Sequence, residues 1–303
     1  MIMMRRGAII VILLGAIIAF AFSRAVDAAT NAELVPGSRI VFPYYDLRPG
    51  FATFLYLTNV SSTPVSVALE FYNTSCSRQD AHIDLSAHDI DSLDLSEMIS
   101  GNASESFLQG FVDVTTSADV LIGTAVVVNM ADDWAIVYNG APARRLAAGI
   151  TPFEPYPAGL FLPAFLTPGQ LGGSVLADGL LIVAAPNPTR PGGKLPNTPI
   201  RASAEILLRQ EQTTMSGDQH RPHEMIQISS RFSGHHLILP IGAMTGPLAF
   251  PMLGWLSLTN HATDKKGVPI GLVGLYIQTL VGPSSASAMA IRLSGDPSAA
   301  STP

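Results

Sequence analysis

The fold is decided by residues 51–72, which read FATFLYLTNVSSTPVSVALEFY. From Val65 to Phe71 the odd positions are apolar and the even positions are small, polar or charged. A period of two places alternate side chains on opposite faces of a sheet and is typical of a strand. Phe51–Thr58 is a second apolar run, and a polar turn separates it from the first. The stretch therefore predicts two antiparallel strands joined as a hairpin.

The same pattern of short apolar runs and polar turns continues through the chain. Val120–Val128 and Trp134–Tyr138 predict a second antiparallel pair around a polar turn. Evidence for helices is thin, and its best case is the capping-box pattern of residues 94–97, DLSE, which predicts one short turn. Residues 237–260 carry no charge, but proline and glycine interrupt them, so we expect loops and buried strands there rather than a membrane helix.

Landmarks recur in the same order in the two halves of the chain. The first-half landmarks are VFP (41–43), LYLTN (55–59), LEF (69–71), GFVDV (110–114) and LIG (121–123). Their matches are FLP (161–163), IVAAPN (182–187), AEI (204–206), GWLSL (254–258) and PIG (269–271). The second half would then carry loop insertions at 188–199 and 210–223, which surface loops tolerate.

This order predicts an all-β protein made of two tandem antiparallel β-sandwich domains of the immunoglobulin-like kind. The predicted limits are a signal peptide at 1–28, an acidic domain at 29–150, a second domain at 151–293 and a disordered tail at 294–303. Shared turn residues would also give such matches by chance, so two unrelated sandwiches remain the alternative to duplication.

Composition and charge exclude several classes of protein. Of 303 residues 48% are hydrophobic and only 13% are charged, the opposite of a disordered chain. The net charge of −6 argues against a nucleic-acid binder. Residues 29–150 hold 14 acidic and 5 basic residues, a net of −9, whereas residues 151–303 hold 8 acidic and 9 basic residues, a net of +1. The two halves therefore differ in charge.

The N-terminus has the three parts of a secretory signal. Arg5 and Arg6 precede an uncharged apolar run at 7–22, and small residues lead to a cleavage site predicted after Ala28. An uncleaved N-terminal anchor is the alternative. After cleavage we expect no membrane span. The single cysteine, Cys76, is then an odd thiol in an exported protein, either a small buried side chain or a partner in an intermolecular disulfide.

The stretch FPYYDLRPGFATFLYLTNVSSTPVSVALEFY (42–72), with GFVDV and LIGTAVVV (121–128) further on, resembles a repeated β-sandwich module of bacterial secreted and cell-surface proteins. The resemblance covers about 38–130 and, more loosely, 160–280. It implies an extracellular β-sandwich without a characterised role. It implies no catalytic residues.

Catalytic signatures fail where they are nearest to a match. GGSVL at 172–176 lacks the second glycine of a nucleophile elbow, and HEMIQ at 223–227 lacks the second histidine of a zincin. The sequence therefore predicts no catalytic, cofactor-binding or metal-binding residues, and no cofactor.

Three clusters of chemically interesting residues have two interpretations each. The acidic segment could bind Ca²⁺ or could keep one strand face in water; it consists of Asp80, Asp84, Asp89, Asp91, Asp94 and Glu97. Three aromatic residues could stack on sugars or close the end of a core: Tyr44, Tyr45 and Trp134. The histidine cluster could bind zinc or copper, or could belong to a solvated insertion; it consists of His220, His223, Glu224, His235 and His236.

Together these features predict a secreted, non-enzymatic structural or interaction protein of the bacterial envelope or the extracellular space. Its expected partners are other envelope or extracellular proteins, or further copies of itself. The alternatives are a carbohydrate-binding protein and a hydrolase with an unrecognised active site.

Overall fold

The protein is built from antiparallel strands that alternate between sheets along the chain. The computed structural model describes residues 34–295, apart from 76, 100–105, 148–150, 172–173, 188–199, 211–223, 235, 247, 249–250, 265–266 and 284. Within this part there are nineteen strands and two short helices, α1 (Leu95–Met98) and α2 (Ile241–Thr245).

The first half of the chain forms two sheets. Sheet I contains β1 (Arg39–Asp46), β3 (Val65–Asn73), β4 (Arg78–Leu85), β6 (Gln109–Thr116) and β9 (Ala141–Ala143). Sheet II contains β2 (Phe51–Asn59), β5 (Ile90–Asp94), β7 (Leu121–Asn129) and β8 (Trp134–Asn139). The strand orders are β4-β3-β6-β1-β9 in sheet I and β5-β2-β7-β8 in sheet II.

The second half forms two more sheets. Sheet III contains β10 (Gly159–Leu166), β13 (Ile200–Gln210), β14 (Glu224–Gly234), β16 (Leu253–Asn260) and β19 (Ser294–Gly295). Sheet IV contains β11 (Gly169–Leu171), β12 (Val175–Ala184), β15 (His236–Pro240), β17 (Val273–Val281) and β18 (Ala286–Arg292). Sheet III has the order β14-β13-β16-β10-β19, and sheet IV has the order β11-β12-β17-β18 with β15 also paired to β12.

The sheets of the second half repeat those of the first, strand for strand. Sheet III matches sheet I, and sheet IV matches sheet II except for the additional β11. The registers agree as well. Phe42 lies opposite Val112 before a bulge that ends at the Tyr45–Gly110 pair. In the same way, Leu162 lies opposite Leu256 before a bulge that ends at the Phe165–Gly254 pair. The ladders therefore define equivalent positions in the two halves.

These registers confirm three of the sequence matches and shift two. The VFP, LEF and GFVDV landmarks align with FLP, AEI and GWLSL as predicted. Gly123, however, lies opposite Leu57 as Gly274 lies opposite Val183, so its equivalent is Gly274 and not Gly271. The landmark LYLTN (55–59) likewise aligns with residues 181–185, one residue earlier than predicted, because Leu57 is the equivalent of Val183.

The predicted hairpin of residues 51–72 is wrong. The strands β2 and β3 lie in different sheets, because β2 pairs with β5 and β7 whereas β3 pairs with β4 and β6. Leu55 and Leu57 of β2 and Leu69 of β3 are all fully buried in one hydrophobic cluster. The two apolar stripes are therefore buried in a shared core between two sheets, and the turn at 60–64 crosses between these sheets.

Other local predictions are confirmed. Strands β7 and β8 pair as predicted. Helix α1 is one short turn whose N-cap, Asp94, accepts a hydrogen bond from the Ser96 amide. Residues 237–260 contain strand, loop and the short helix α2. No helix among the described residues is long and apolar enough to cross a membrane.

The fold is all-β with four antiparallel sheets, in a propeller-like arrangement, and two tandem immunoglobulin-like sandwiches are not established by it. From Val35 onward the chain forms one compact unit, and the first-half core cluster includes Ile182, Leu275 and Ile277 of sheet IV. The predicted domain limits stay predictions. Strand β19 occupies the first two residues of the predicted tail, where it pairs with β10.

Candidate interaction surface

The predicted sugar-stacking aromatics are not exposed. Tyr44 and Tyr45 are buried in the first-half core, and the Tyr44 hydroxyl donates a 2.6 Å hydrogen bond to the buried carboxylate of Asp46. Burial raises the pKa of the Tyr44 phenol. Trp134 is half-buried and packs edge-on against Phe51, with 5.9 Å between ring centroids. These residues close a core, and the structure corrects the carbohydrate interpretation for the two tyrosines.

The acidic segment is spread over strands and turns. Asp80 pairs with Arg78 at 2.9 Å on β4. Asp89 accepts a hydrogen bond from the Ser86 amide, and Asp94 caps α1. Among the described residues no group of three or more His, Cys, Asp or Glu side chains is placed to hold a metal ion. The segment lies on β4 and β5, the outer strands of sheets I and II.

Of the histidine cluster, the structure describes His236 and the strand position of Glu224. His220, His223 and His235 lie outside the described residues, as do Cys76 and the signal segment. His236 is buried, and its Nε2 lies 2.8 Å from the Pro43 carbonyl oxygen of the first half. Burial lowers the pKa of His236 to about 4. This histidine therefore belongs to the contact between the two halves of the chain.

A buried ion pair stands at the centre of that contact. Arg39 donates two hydrogen bonds to the carboxylate of Asp113, of 2.9 and 2.5 Å, and a third of 2.9 Å to the carbonyl oxygen of Asn187 in the second half. Its guanidinium also lies over the rings of Phe153 and Tyr156, 5.5 and 5.7 Å from their centroids. One cation therefore connects sheet I to Phe153 and Tyr156, between the two halves, and to the segment that follows β12.

A second carboxyl group lies beside this pair. Glu70 is the cross-strand neighbour of Asp113 and accepts a 2.6 Å hydrogen bond from the Tyr72 hydroxyl. Burial raises the pKa of Glu70, and the hydrogen bond from Tyr72 acts in the opposite direction. Because Arg39 already satisfies Asp113 with a two-pronged contact, the pair is a structural link, with charge balanced inside the first half.

Apolar residues surround the ion pair on the outer face of sheet I. Tyr72 and Phe111 stack with 4.8 Å between centroids, and the His236 ring lies 5.6 Å from Phe111. The same cluster contains Ala184 and Val273 from sheet IV. The junction therefore joins the outer face of sheet I to the outer face of sheet IV.

Burial along the equivalent strands shows which faces are covered. Strand β17 is buried on both faces from Val273 to Gln278, whereas its equivalent β7 alternates between buried and half-buried residues throughout. Strand β1 is buried at all eight positions, whereas its equivalent β10 is exposed at Pro163 and half-buried at Phe161 and Ala164. Sheets I and IV are thus covered by the junction, and their equivalents, sheets III and II, keep open outer faces.

The open face of sheet II is apolar, and we call it the sheet II face. Its most exposed large side chains are Ile90 at 63%, Val137 at 61% and Tyr56 at 37%. Its apolar members are Phe54, Tyr56, Ile90, Ile122, Val126, Val128 and Val137, with Thr58 and Thr124 between them and the polar residues Ser92, Asp94 and Asn139 on its two outer strands. An antiparallel sheet with one solvated face ordinarily carries polar residues there. A continuous apolar face on a water-exposed sheet is typical of an interaction site.

A smaller open face lies on sheet III, and we call it the sheet III face. Phe161 and Trp255 are half-buried and in contact, with 5.8 Å between ring centroids. Leu207 of β13 lies opposite Trp255 of β16. Leu253, also on β16, is 45% exposed. The face thus presents a group of two aromatic and two aliphatic side chains.

Sequence reasoning missed both faces, although a signal for the sheet II face was present. Residues 51–57, FATFLYL, place apolar side chains at nearly every position. A near-continuous apolar run indicates a strand that is covered on both faces. On β2 only one face meets the core, so the excess of apolar residues falls on the open face.

Comparisons with known proteins leave the chain without a family. No family model and no curated protein sequence matches it. A Thermotoga maritima protein designated 1070 is similar in structure over 35% of this chain and 95% of its own, with 10% identity and a TM-score of 0.31. The CupB6 tip adhesin from Pseudomonas aeruginosa is similar over 84% of this chain and 97% of its own, with 8% identity and a TM-score of 0.14. At these scores neither likeness supports an argument, and the resemblance to a cell-surface module is not confirmed.

Proposed function

We propose that the protein is a secreted, non-enzymatic interaction protein of the bacterial envelope or the extracellular space, and that it docks through the sheet II face. The observation that carries the proposal is this open apolar face, on which Ile90 and Val137 are more than half exposed. Its equivalent on sheet IV is buried in the junction between the halves. A face of this construction therefore already acts as a protein-binding surface within the chain.

We further propose that each half is one sandwich of the immunoglobulin-like kind and that the halves are two copies of one module. The support is the shared strand order of sheets I and III and of sheets II and IV, together with the matching bulges in β1 and β10. An export signal at residues 1–28 would place such a protein outside the cytoplasm, as the charged start and apolar run of the sequence indicate.

Site-specific photo-crosslinking in intact cells that secrete the protein tests the docking role. A photoreactive residue replaces Val137 on the sheet II face, and in a matched control it replaces Met130. Met130 is similarly exposed, at 64%, but lies in the turn between β7 and β8. We expect light-dependent adducts with protein from position 137 and none from position 130. Absence of any protein adduct from position 137, with normal secretion and folding, would contradict the proposal.

A further inference from the structure

We infer that the occupant of the sheet II face is a second copy of this chain, docked head to tail through its sheet III face. The inference rests on the proposed docking role of the sheet II face and names its partner. The contact between sheets I and IV is the template for this docking. The sheet III face is the equivalent of the sheet I side of that contact, and the sheet II face is the equivalent of its sheet IV side. A chain built from two such modules leaves one unmatched face at each end, and these two faces fit one another.

The sheet II face corresponds position by position to the covered face of sheet IV. Thr58 lies opposite Ile90 and Ile122, on its two sides, as Ala184 lies opposite His236 and Val273. That second set of three residues is the part of sheet IV that covers Phe111. Thr58, Ile90 and Ile122 are therefore placed to cover an aromatic residue that is equivalent to Phe111.

That aromatic residue is Trp255 on the sheet III face. Gly254 occupies the place of Gly110 beside the bulge, so Trp255 is the equivalent of Phe111. By the same registers Phe161 is the equivalent of Val41, and Leu207 is the equivalent of Tyr72. The three large apolar positions of the template are therefore apolar on the sheet III face as well, with larger side chains at two of them, whereas the small Ala141 is replaced by Ser294.

Charge favours contact between unlike halves. Residues 29–150 carry a net of −9 and residues 151–303 a net of +1, so pairing two first halves would bring like charges together. Glu205 lies next to the apolar group on sheet III, and the exposed Arg231 and Arg201 follow two and four ladder positions further along the same face. The β5 edge of the sheet II face carries Asp94, opposite Phe54. The contact is heterologous, so it continues from copy to copy or closes into a ring.

The contact between copies lacks the ion pair of the junction. Arg39 and Asp113 are replaced by Gly159 and Ser257 at the equivalent positions of sheet III. Docking there consequently buries no ion pair at these positions, so apolar area is the main source of affinity and charge attraction acts only at the rim. The association is therefore expected to be weaker than the internal junction and to depend on concentration.

Disulfide trapping between two differently labelled variants tests the geometry. In a Cys76→Ser background, one protein carries Ile90→Cys and the other carries Trp255→Cys. The template places their equivalents, His236 and Phe111, in contact, with 5.6 Å between ring centroids. Under mild oxidation we expect covalent dimers in the mixture and none from either variant alone. Replacing the Ile90→Cys protein by Met130→Cys is the matched control and should give no dimer.

Sedimentation velocity of the full chain provides a second readout that needs no cysteine. The mean sedimentation coefficient of the wild type should rise with concentration. Val137→Lys and Trp255→Lys should each remove most of that rise, and Met130→Lys should leave it unchanged. All three positions are exposed or half-buried, and circular dichroism of each variant checks that it keeps the fold.

The outcomes separate this inference from the proposed function. Dimers from one variant alone would show a symmetric contact and would overturn the head-to-tail arrangement. A wild type that stays monomeric at every concentration, without mixed disulfides, would overturn self-association. If position 137 then still forms cellular adducts with another polypeptide, the docking role stands and only the identity of the partner is wrong.

Discussion

Acidification is expected to weaken the junction through His236, and the structure sets the size of the effect. Nε2 of the neutral ring donates to the Pro43 carbonyl oxygen at 2.8 Å. Nδ1 has no hydrogen-bond partner among the described residues and is buried. A proton added to Nδ1 would put a charge in an apolar site with no acceptor beside it, which is why burial lowers the pKa of His236 to about 4.

The sign follows from comparing folded and unfolded chains. An unfolded histidine takes up its proton near pH 6.5, whereas folded His236 resists protonation until about pH 4. Neutral His236 therefore makes its full contribution to the free energy of unfolding above pH 6.5. This contribution is lost as the pH falls from 6.5 to about 4. At about 1.4 kcal/mol for each pH unit, stability at pH 4.5 should be about 2.5 kcal/mol lower than at pH 7.5 from this residue alone.

The assay is urea unfolding of the wild type and of His236→Gln, followed by circular dichroism between pH 7.5 and pH 4.5. The glutamine amide can donate to Pro43 and carries no charge at any pH. Carboxyl groups, including Glu70 with its raised pKa, contribute to both proteins and cancel in the difference. The wild type should be the more stable protein at pH 7.5, and its free energy of unfolding relative to His236→Gln should fall by about 2.5 kcal/mol by pH 4.5. Parallel stability curves across this range would refute the reasoning.

Three further perturbations test the fold and the junction. Arg39→Met should lower the free energy of unfolding by about 3–5 kcal/mol because it leaves the Asp113 carboxylate buried without a partner, and adding Asp113→Leu should restore much of that loss in chemical denaturation. Gly110→Ala should cost about 3 kcal/mol or more in thermal unfolding, since its Cβ would lie 1.8 Å from a backbone oxygen, whereas Gly282→Ala meets its nearest atom at 3.3 Å and should change stability little. Residues 29–150 produced alone should melt cooperatively by circular dichroism but at a lower temperature than the full chain, because the outer face of sheet I loses its cover; a non-cooperative melt would show that the first half depends on the second.

The sequence predicted the strands well and their partners poorly, for a physical reason. Alternation in Val65–Phe71 indicates a strand with one buried face; β3 is a strand, but only its first four residues show that alternation, because the junction buries both faces from Leu69 onward. Alternation does not say which strand lies beside it. Pairing of β2 with β5 and β7, instead of with β3, depends on how two apolar stripes meet across a core. That information is in the three-dimensional packing and not in the local pattern.

The apolar run of residues 51–57 signals an extra apolar face, but its exposure could not be predicted, because exposure is a property of the assembled halves. Nothing local separates Ile122, half-buried on β7, from its equivalent Val273, buried on β17. Both are β-branched residues on outward-facing positions of equivalent strands. His236 likewise looked like one member of a histidine cluster, and only the fold shows that it packs on Phe111. The open faces become visible only when the equivalent ladders of the two halves are compared.

The equivalent strand order of the two halves makes the apolar character of the open faces informative. The sheet III face has no ion pair, since Gly159 and Ser257 stand where Arg39 and Asp113 stand in sheet I. Had this face served only to meet water, its apolar positions could have become polar too, yet Phe161 and Trp255 are aromatic. A surface that has the apolar contacts of a junction without its buried ion pair is suited to reversible association. The direct measure is the mixed disulfide between positions 90 and 255: its presence makes the internal junction a template for assembly, and its absence confines that contact to the interior of one chain.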